Sequence, residues 1–261
     1  MAGAPVPTET IELLAKVKEA DTYTPYGATE ALPVTLMTGA EIVAAEDYCS
    51  RTGEQGTLVG KPIEAVSCRL VKRLTSDSIS FSELEDVSPG EIGEVLVSGD
   101  NVSKQYLNLP EVNAKSKISN NDQIWHIVGD MAYRDEAGRI YFCGRKAHLV
   151  DTAERTYYSV PTERVFNQHP QVSRSALIEL SDGEVALVVE PMPEFWPDTS
   201  KRRAQFSQEL KDIGAEQDYT VGISRFFFHE SFPVDGRHNA KIFRDQLGSW
   251  ARMQDKKRKA A

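Results

Sequence analysis

The spacing of glycine and of apolar residues changes abruptly near residue 145, and that break constrains the fold more than any other feature of the chain. From about residue 20 to 145, short apolar runs separated by glycines read as strands: Val34 to Met37, Thr57 to Val59, Val66-Cys68-Leu70 and Val95 to Val97. Trp125 to Val128 forms another, closed by Gly129-Asp130, and Met131 and Tyr133 face Ile140 and Phe142 across the turn sequence Asp135-Glu136-Ala137-Gly138. Before these strands, Ile11, Leu13, Leu14 and Val17 recur at helical spacing after Pro7 and Thr8, in a helix that runs out near Ala20. Beyond Arg145 helices and strands alternate. A short helix fits Thr162 to Gln168, and strands fit Arg174 to Leu180, Val185 to Val189 and Ile223 to His229. Ser200 is a plausible N-cap for a helix carrying Phe206, Leu210 and Ile213, and Phe243, Leu247 and Trp250 mark the last helix. The pattern predicts a mixed α/β (α+β) chain in two parts. Residues 1–145 form an incomplete sheet plus small barrel, residues 146–255 a compact α/β domain, and residues 256–261, with Lys256-Lys257-Arg258-Lys259, a frayed basic tail.

A chain of 261 residues accommodates about two domains of roughly 150 residues each. Its 30 Lys and Arg against 39 Asp and Glu give a formal charge of -9, which argues against nucleic acid as a partner because a phosphate backbone demands a broad cationic footprint. Apolar runs such as Val185 to Val189 are far below the roughly 20 residues of a membrane helix, so no transmembrane segment is expected. The first residues, Met1-Ala2-Gly3-Ala4-Pro5-Val6-Pro7, lack a basic stretch and an apolar core, so a secretory leader is not expected and the cytoplasm is the default location. Cys49, Cys68 and Cys143 are widely spaced, without a C-x-x-C pair, and read as ordinary free thiols; the five histidines show no metal-binding spacing. The stretch from Asp77 to Asp100 carries seven carboxylates and no Lys or Arg, the composition of a solvated face or loop.

Four short segments put polar groups where backbone and side chains converge on a ligand. In Tyr26-Gly27-Ala28-Thr29-Glu30, the glycine permits close approach, the tyrosine offers a ring, the threonine a hydroxyl for a phosphate oxygen and the glutamate a hard ligand for Mg2+; an ordinary turn before a strand is the alternative. Asp130 can accept hydrogen bonds from both hydroxyls of a ribose, or simply open a turn. Arg145, in Gly144-Arg145-Lys146, can reach ribose or phosphate oxygens. Lys241, placed at the start of the last helix, is either a cation for a bound anion or a solvated surface lysine.

Taken as an ordered set, these segments resemble the adenylate-forming acyl-activating superfamily of AMP-binding synthetases, over nearly the whole chain from Gly3 to about Trp250. Gly3-Ala4-Pro5 is similar to that family's adenine-contacting turn, Tyr26 to Glu30 to its Y-G-x-T-E motif, and Gly90-Glu91-Ile92-Gly93-Glu94 to its G-E-x-G-E stretch. Gly129-Asp130 with Asp135, Gly138 and Gly144-Arg145 resemble its ribose and hinge motifs, and Lys241 its catalytic lysine. Thr24 to Pro33, Cys143 to His148 and Arg237 to Arg244 resemble the β-lactone synthetases of olefin biosynthesis, a branch similar to fatty-acid-CoA ligases. The resemblance implies that residues 1–145 are the C-terminal part of a large AMP-binding domain and that residues 146–255 are a small mobile domain carrying Lys241.

The chemistry it implies is ATP-dependent activation of a fatty or β-hydroxy fatty acid as an acyl-adenylate, leading to a lactone or a thioester. Glu30 would hold Mg2+, Thr29 a phosphate oxygen, Tyr26 and Gly27 the adenine, Asp130 the ribose diol and Arg145 ribose or phosphate, while Lys241 would meet the charge gathering on the reacting oxygens. The family's Ser/Thr/Gly-rich phosphate loop is not found upstream of the adenine turn, so the rest of such an enzyme is either a separate N-terminal half acting as a partner or lost; the alternatives are an AMP-binding module lacking turnover and a fragment without ligand. Ala147 replaces the family's Asp or Lys at the hinge, and Arg155-Thr156 replaces a Gly-Gly beside the pantetheine tunnel, which weakens the case for coenzyme A as acceptor.

Overall fold

The alternation read before residue 145 becomes an antiparallel sheet in the computed structural model, which describes residues 8–16, 21–52, 55–76, 80–236 and 241–260. The chain divides into two compact units, Met1–Lys146 and Ala147–Ala261. In the first, helix α1 (Thr8–Ala15) precedes the hairpin of β1 (Tyr23–Ala28) and β2 (Ala31–Thr38), followed by α2 (Gly39–Thr52). Then come β3 (Thr57–Gly60), β4 (Val66–Val71), β5 (Gly93–Gly99), α3 (Pro110–Ser116), β6 (Lys117–Asn120), β7 (Gln123–Arg134) and β8 (Ile140–Arg145). The larger sheet has the order β3-β8-β7-β5-β4, with β6 also on β7 and every pairing antiparallel. Both faces of its centre are covered: Val95, Val97, Ala132 and Ile140 pack with Val34 of β2, while Leu96 packs on the other side with Val71, Leu84, Ile118 and Trp125. This two-sided burial explains why β5 reads as a nearly unbroken apolar run.

Helices α2 and α3 lie where only strands were expected. The α2 sequence lacks a wide apolar stripe, but Thr38 and Glu41 mark its start: the Glu41 amide donates to Thr38 Oγ1 at 3.2 Å and Glu41 Oε2 accepts from the Thr38 amide at 2.8 Å. Pro110 opens α3, where its missing N–H costs nothing.

Glu94 on β5 is buried, and Lys146 Nζ reaches its two oxygens at 2.8 and 3.1 Å while donating to Leu74 O at 2.6 Å. Replacing Lys146 with methionine leaves this carboxylate without its cation, held only by the Leu74 amide at 3.0 Å among the described residues. The expected cost is roughly 2–3 kcal/mol, below that of a fully buried pair because the lysine side chain is 35% exposed. Urea unfolding measures it, and the additional change Glu94→Leu is expected to recover most of the loss; full stability of Lys146→Met alone would show the pair to be dispensable.

The second unit begins with the short hairpin β9 (Val150–Asp151) and β10 (Thr156–Tyr157), then α4 (Ser159–Asn167), β11 (Val172–Glu179), β12 (Val185–Pro191), α5 (Ser200–Ala215), β13 (Phe226–Phe228) and α6 (Arg244–Ala260). Its sheet has the order β11-β12-β13, with β12 antiparallel to β11 and parallel to β13. Phe166, Phe206 and Leu210 pack against Leu187 and Val189 on one face, and Leu247 and Ala251 against Ala186 and Val188 on the other. Every residue of β12 is buried as a result.

Several boundaries differ from expectation. Thr199, not Ser200, caps α5, its hydroxyl accepting from the Arg202 amide at 3.2 Å. Helix α6 starts after Phe243, which is exposed, and β13 is shorter than Ile223 to His229. The basic run is no frayed tail: Lys257, Arg258 and Lys259 form the last turn of α6, where cations complement the helix dipole, and Lys259 pairs with Asp182 at 2.6 Å and Asp255 at 3.0 Å. Among the described residues no helix is long and apolar enough to cross a membrane.

Candidate functional site

Asp130 organises the polar site of the first unit. It lies within β7 rather than at a strand end, because the backbone runs through Gly129 at a φ of 77°, a conformation that favours glycine, and continues into the hairpin with β8. The hairpin register sets Asp130 opposite Arg145. From β1, the Tyr26 hydroxyl donates to Asp130 Oδ2 at 2.8 Å, so three residues separated widely in sequence meet. Gly27, next to Tyr26, sits at a bulge where an added Cβ would lie 2.3 Å from the Ala31 carbonyl oxygen. No side chain fits there without moving the strand.

Asp130 is only 5% exposed, and its Oδ1 has no hydrogen-bond partner among the described residues; Arg145 Nε lies 3.7 Å away, beyond hydrogen-bonding distance, on a side chain open to solvent. A buried, unsatisfied carboxylate oxygen is costly, and such groups mark places where a ligand completes the hydrogen bonding. Burial pushes the Asp130 carboxyl above its ordinary range, against the opposing pull of the Tyr26 hydroxyl and Arg145. Burial, reinforced by the neighbouring Asp130, likewise raises the Tyr26 phenol, which keeps it a neutral donor. The donor set has one acceptor to spare, as a ribose hydroxyl requires.

Thr29 and Glu30 form the two-residue turn between β1 and β2, bracketed by the Ala28–Ala31 pair. Glu30 Oε1 accepts from the Tyr106 hydroxyl at 2.7 Å. Burial acts to raise the Glu30 carboxyl, yet the Tyr106 hydrogen bond, a bond to its own amide, His126 and Lys117 outweigh it and hold the group below its usual value. Tyr106 is itself fixed by Asn113, which accepts from its amide at 2.6 Å and donates to its carbonyl at 2.9 Å, and Lys117 Nζ lies 5.4 Å from its ring. Glu30 is partly buried, and the Thr29 side chain is exposed beside it in sequence. A carboxylate held below its usual value is ionised and suits Mg2+, which keeps most of its shell for water and substrate phosphates. No cluster of three His, Cys, Asp or Glu side chains forms among the described residues.

Lys241 belongs to the second unit and does not start the last helix. It sits three residues earlier, on an arm of a loop closed by the antiparallel Val234–Ile242 bridge, with the Asp235 amide donating to Lys241 O at 2.9 Å and the Phe243 amide to Pro233 O at 2.9 Å. Ile242 packs into the core beneath α6. Arg244 then clamps the loop's base: its Nη2 meets Glu163 Oε2 at 2.8 Å, while Glu163 Oε1 accepts from the Leu177 amide at 2.8 Å. The Lys241 side chain is exposed.

Gly3, Ala4, Pro5 and the segment 237–240 lie outside the described residues. The structure brings Tyr26, Asp130 and Arg145 together, and sets Thr29 and Glu30 on the turn that follows Tyr26. Sequence reasoning did not find Tyr106, Lys117 or His126 around Glu30: pairing of β6 with β7 sets Lys117 opposite His126, and Asn113 of α3 holds Tyr106. Arg155 lies on the β9–β10 hairpin and donates to Asp218 O. Burial raises the Cys68 thiol to about 11 and the Cys143 thiol to about 12, as expected for inert thiols.

Asp130 and Arg145 thus stand on the antiparallel sheet of the first unit, met by Tyr26 from the separate β1–β2 hairpin, and the chain belongs to the adenylate-forming enzyme superfamily. No family model matches it. In sequence it is 35% identical over 266 residues, 97% of this chain and 46% of the relative, to the olefin β-lactone synthetase of Xanthomonas campestris pv. campestris. The chain thus spans about half the length of the curated relatives it matches. In structure it is similar to an amide bond synthetase from Marinactinospora thermotolerans, with a TM-score of 0.70, 22% identity and coverage of 95% of this chain and 46% of that one. The O-succinylbenzoate coenzyme A synthetase of Bacillus subtilis, solved in complex with ATP and magnesium ion, matches with a TM-score of 0.64 at 22% identity, over 94% of this chain and 45% of that one. These structural likenesses establish the fold.

Proposed function

We propose that this chain carries the ribose-binding floor and the small lysine-bearing domain of an acid-activating synthetase that forms an acyl-adenylate on a fatty or β-hydroxy fatty acid. One observation carries the reading: a buried Asp130 oxygen without a partner, beside a tyrosine that fixes the other oxygen and an arginine open to solvent. Residues 1–145 and 146–255 are then parts of the large and small domains, and 256–260 the end of the small domain's last helix. In the reaction, a carboxylate oxygen of the acid attacks the α-phosphorus of ATP, the bond to the β-phosphate oxygen breaks and pyrophosphate leaves. In a β-lactone synthetase the acid's own β-hydroxyl next attacks the acyl carbon, loses its proton and expels AMP, with no thiol needed. Asp130 accepts from the ribose hydroxyls and Tyr26 keeps that carboxylate oriented. Arg145 offers charge-assisted hydrogen bonds to ribose or phosphate, and Thr29 a hydroxyl to a phosphate oxygen. Glu30 would hold Mg2+, which would supply neutralisation of phosphate charge there, and the Tyr106 hydroxyl orients that carboxylate. Lys241 neutralises charge where the attacking and α-phosphate oxygens meet.

A half-length counterpart is the proposed partner. Leu13, Leu14, Leu32 and Leu36 of the first unit are exposed, which supports apolar surface awaiting cover. The second reading is an AMP-binding module without turnover. Pyrophosphate release separates the two. With fatty or β-hydroxy acids the chain alone is expected to release almost none, and adding a chain that supplies the N-terminal half is expected to restore it. Robust release by the lone chain would overturn the need for a partner; persistent inactivity of the assembled pair, with AMP still bound, would favour the module.

A further inference from the structure

The second unit contains a sheet edge held open between two helices. β13 is the last strand of its sheet, with Phe226 packed in the core shared with Phe206 and Leu210 of α5 and Phe227 in the core shared with Leu247 and Ala251 of α6. The Leu187 amide donates to Arg225 O and the His229 amide to Val189 O, both at 2.9 Å. The alternation of a parallel ladder then turns the amides and carbonyls of Phe226 and Phe228 away from β12, to a side where no strand pairs with them among the described residues. Along this edge runs a groove of about 1060 Å3 lined by Arg203, Lys211, Lys257 and Arg258, with Trp250 at its wall and Glu230 as its one carboxylate. In a chain of net charge -9, that is a local reversal of sign.

We infer that this groove docks an acidic segment of a partner protein, added to β13 as a fourth strand. Open edges are commonly protected by lysines on the edge strand itself. Here the cations sit on α5 and α6, so the ladder groups stay accessible while the flanking charge selects the visitor. Main-chain bonds supply affinity in strand addition, and complementary charge supplies selectivity and fast encounter. The groove lies wholly within the second unit and does not depend on the nucleotide site, so the proposal stands apart from the acid-activating reading.

The test uses a fluorescein-labelled peptide of alternating glutamate and valine, about ten residues long. It is expected to raise fluorescence anisotropy on binding the full chain, to weaken with salt, and to slow hydrogen exchange at the Phe226 and Phe228 amides. The double variant Lys211→Glu/Arg258→Glu changes exposed side chains, and is expected to bind at least about tenfold more weakly with an unchanged circular dichroism spectrum. A peptide N-methylated at alternate residues on its pairing edge is expected to lose binding. Equal binding by the N-methylated peptide, unchanged exchange at Phe226 and Phe228, or tighter binding of a polyuridine oligonucleotide than of the peptide would overturn the proposal.

Discussion

Replacing Lys241 with alanine is expected to abolish pyrophosphate release by the chain assembled with its N-terminal half, a loss of about a hundred- to a thousandfold, while nucleotide affinity stays within about twofold. The split follows from what the side chain is proposed to meet. Negative charge gathers on the carboxylate and α-phosphate oxygens only as the new bond forms, so a cation aimed there lowers the barrier more than it tightens the ground state. The surroundings of Lys241 make the experiment clean. Its side chain is exposed, so its removal is expected to change stability by no more than about 0.5 kcal/mol. The backbone just after Lys241 is held by groups the substitution does not touch: the Val234–Ile242 bridge, the Phe243 amide on Pro233 and the Arg244–Glu163 clamp. Lost activity therefore reports on the ammonium group and not on a collapsed loop. An assembled Lys241→Ala enzyme with full activity would remove the lysine from the chemistry.

The same loop shows why part of the architecture was not readable in the sequence. Phe243, Leu247 and Trp250 share a helical stripe wherever the helix begins, so the pattern allows α6 to begin at Lys241, three residues too early; the Phe243 amide instead bonds Pro233, a partner no local pattern predicts. Strands fared better. Val66, Cys68 and Leu70 alternate because one side of β4 packs inward, and β12 is apolar throughout because helices cover both its faces. In the candidate site, the Y-G-x-T-E turn and Asp130 could be picked out singly, but the Tyr26–Asp130 bond joins residues 104 apart, and the Tyr106 hydroxyl on Glu30 joins residues 76 apart. Such pairs are products of tertiary packing: Tyr26 and Asp130 come from different sheets, and Tyr106 from the segment ahead of α3. The α2 helix was lost for a different reason: its Ala-rich run offers little apolar moment, and the reciprocal Thr38–Glu41 signal at its start went unused.

The carboxylate of Asp130 is expected to cost the protein stability and to supply its nucleotide affinity, and two substitutions separate these effects. Burial raises this group's folded pKa, so the fold prefers the neutral form. Its favourable contribution is complete below the unfolded value of about 3.9 and is lost as pH rises through the raised folded value. Asp130→Asn keeps an oxygen to accept from Tyr26 and removes the ionisation. Its melting temperature is therefore expected to exceed that of the parent at pH 7, with the advantage vanishing near pH 3.5. Affinity should move the other way. A ribose hydroxyl bound to a carboxylate makes a charge-assisted hydrogen bond, whose loss costs about 1.5–3 kcal/mol, or roughly ten- to over a hundredfold in affinity. Titration calorimetry with AMP is expected to show that loss in both Asp130→Asn and Asp130→Ala. Asp130→Ala also strands the Tyr26 hydroxyl and should lose the stability gain that Asp130→Asn retains. A stabilised Asp130→Asn that binds AMP poorly is the signature of a residue kept ionised for its ligand. If Asp130→Ala binds AMP as tightly as the parent does, the ribose assignment fails, and the unpaired oxygen is a structural strain with no ligand to relieve it.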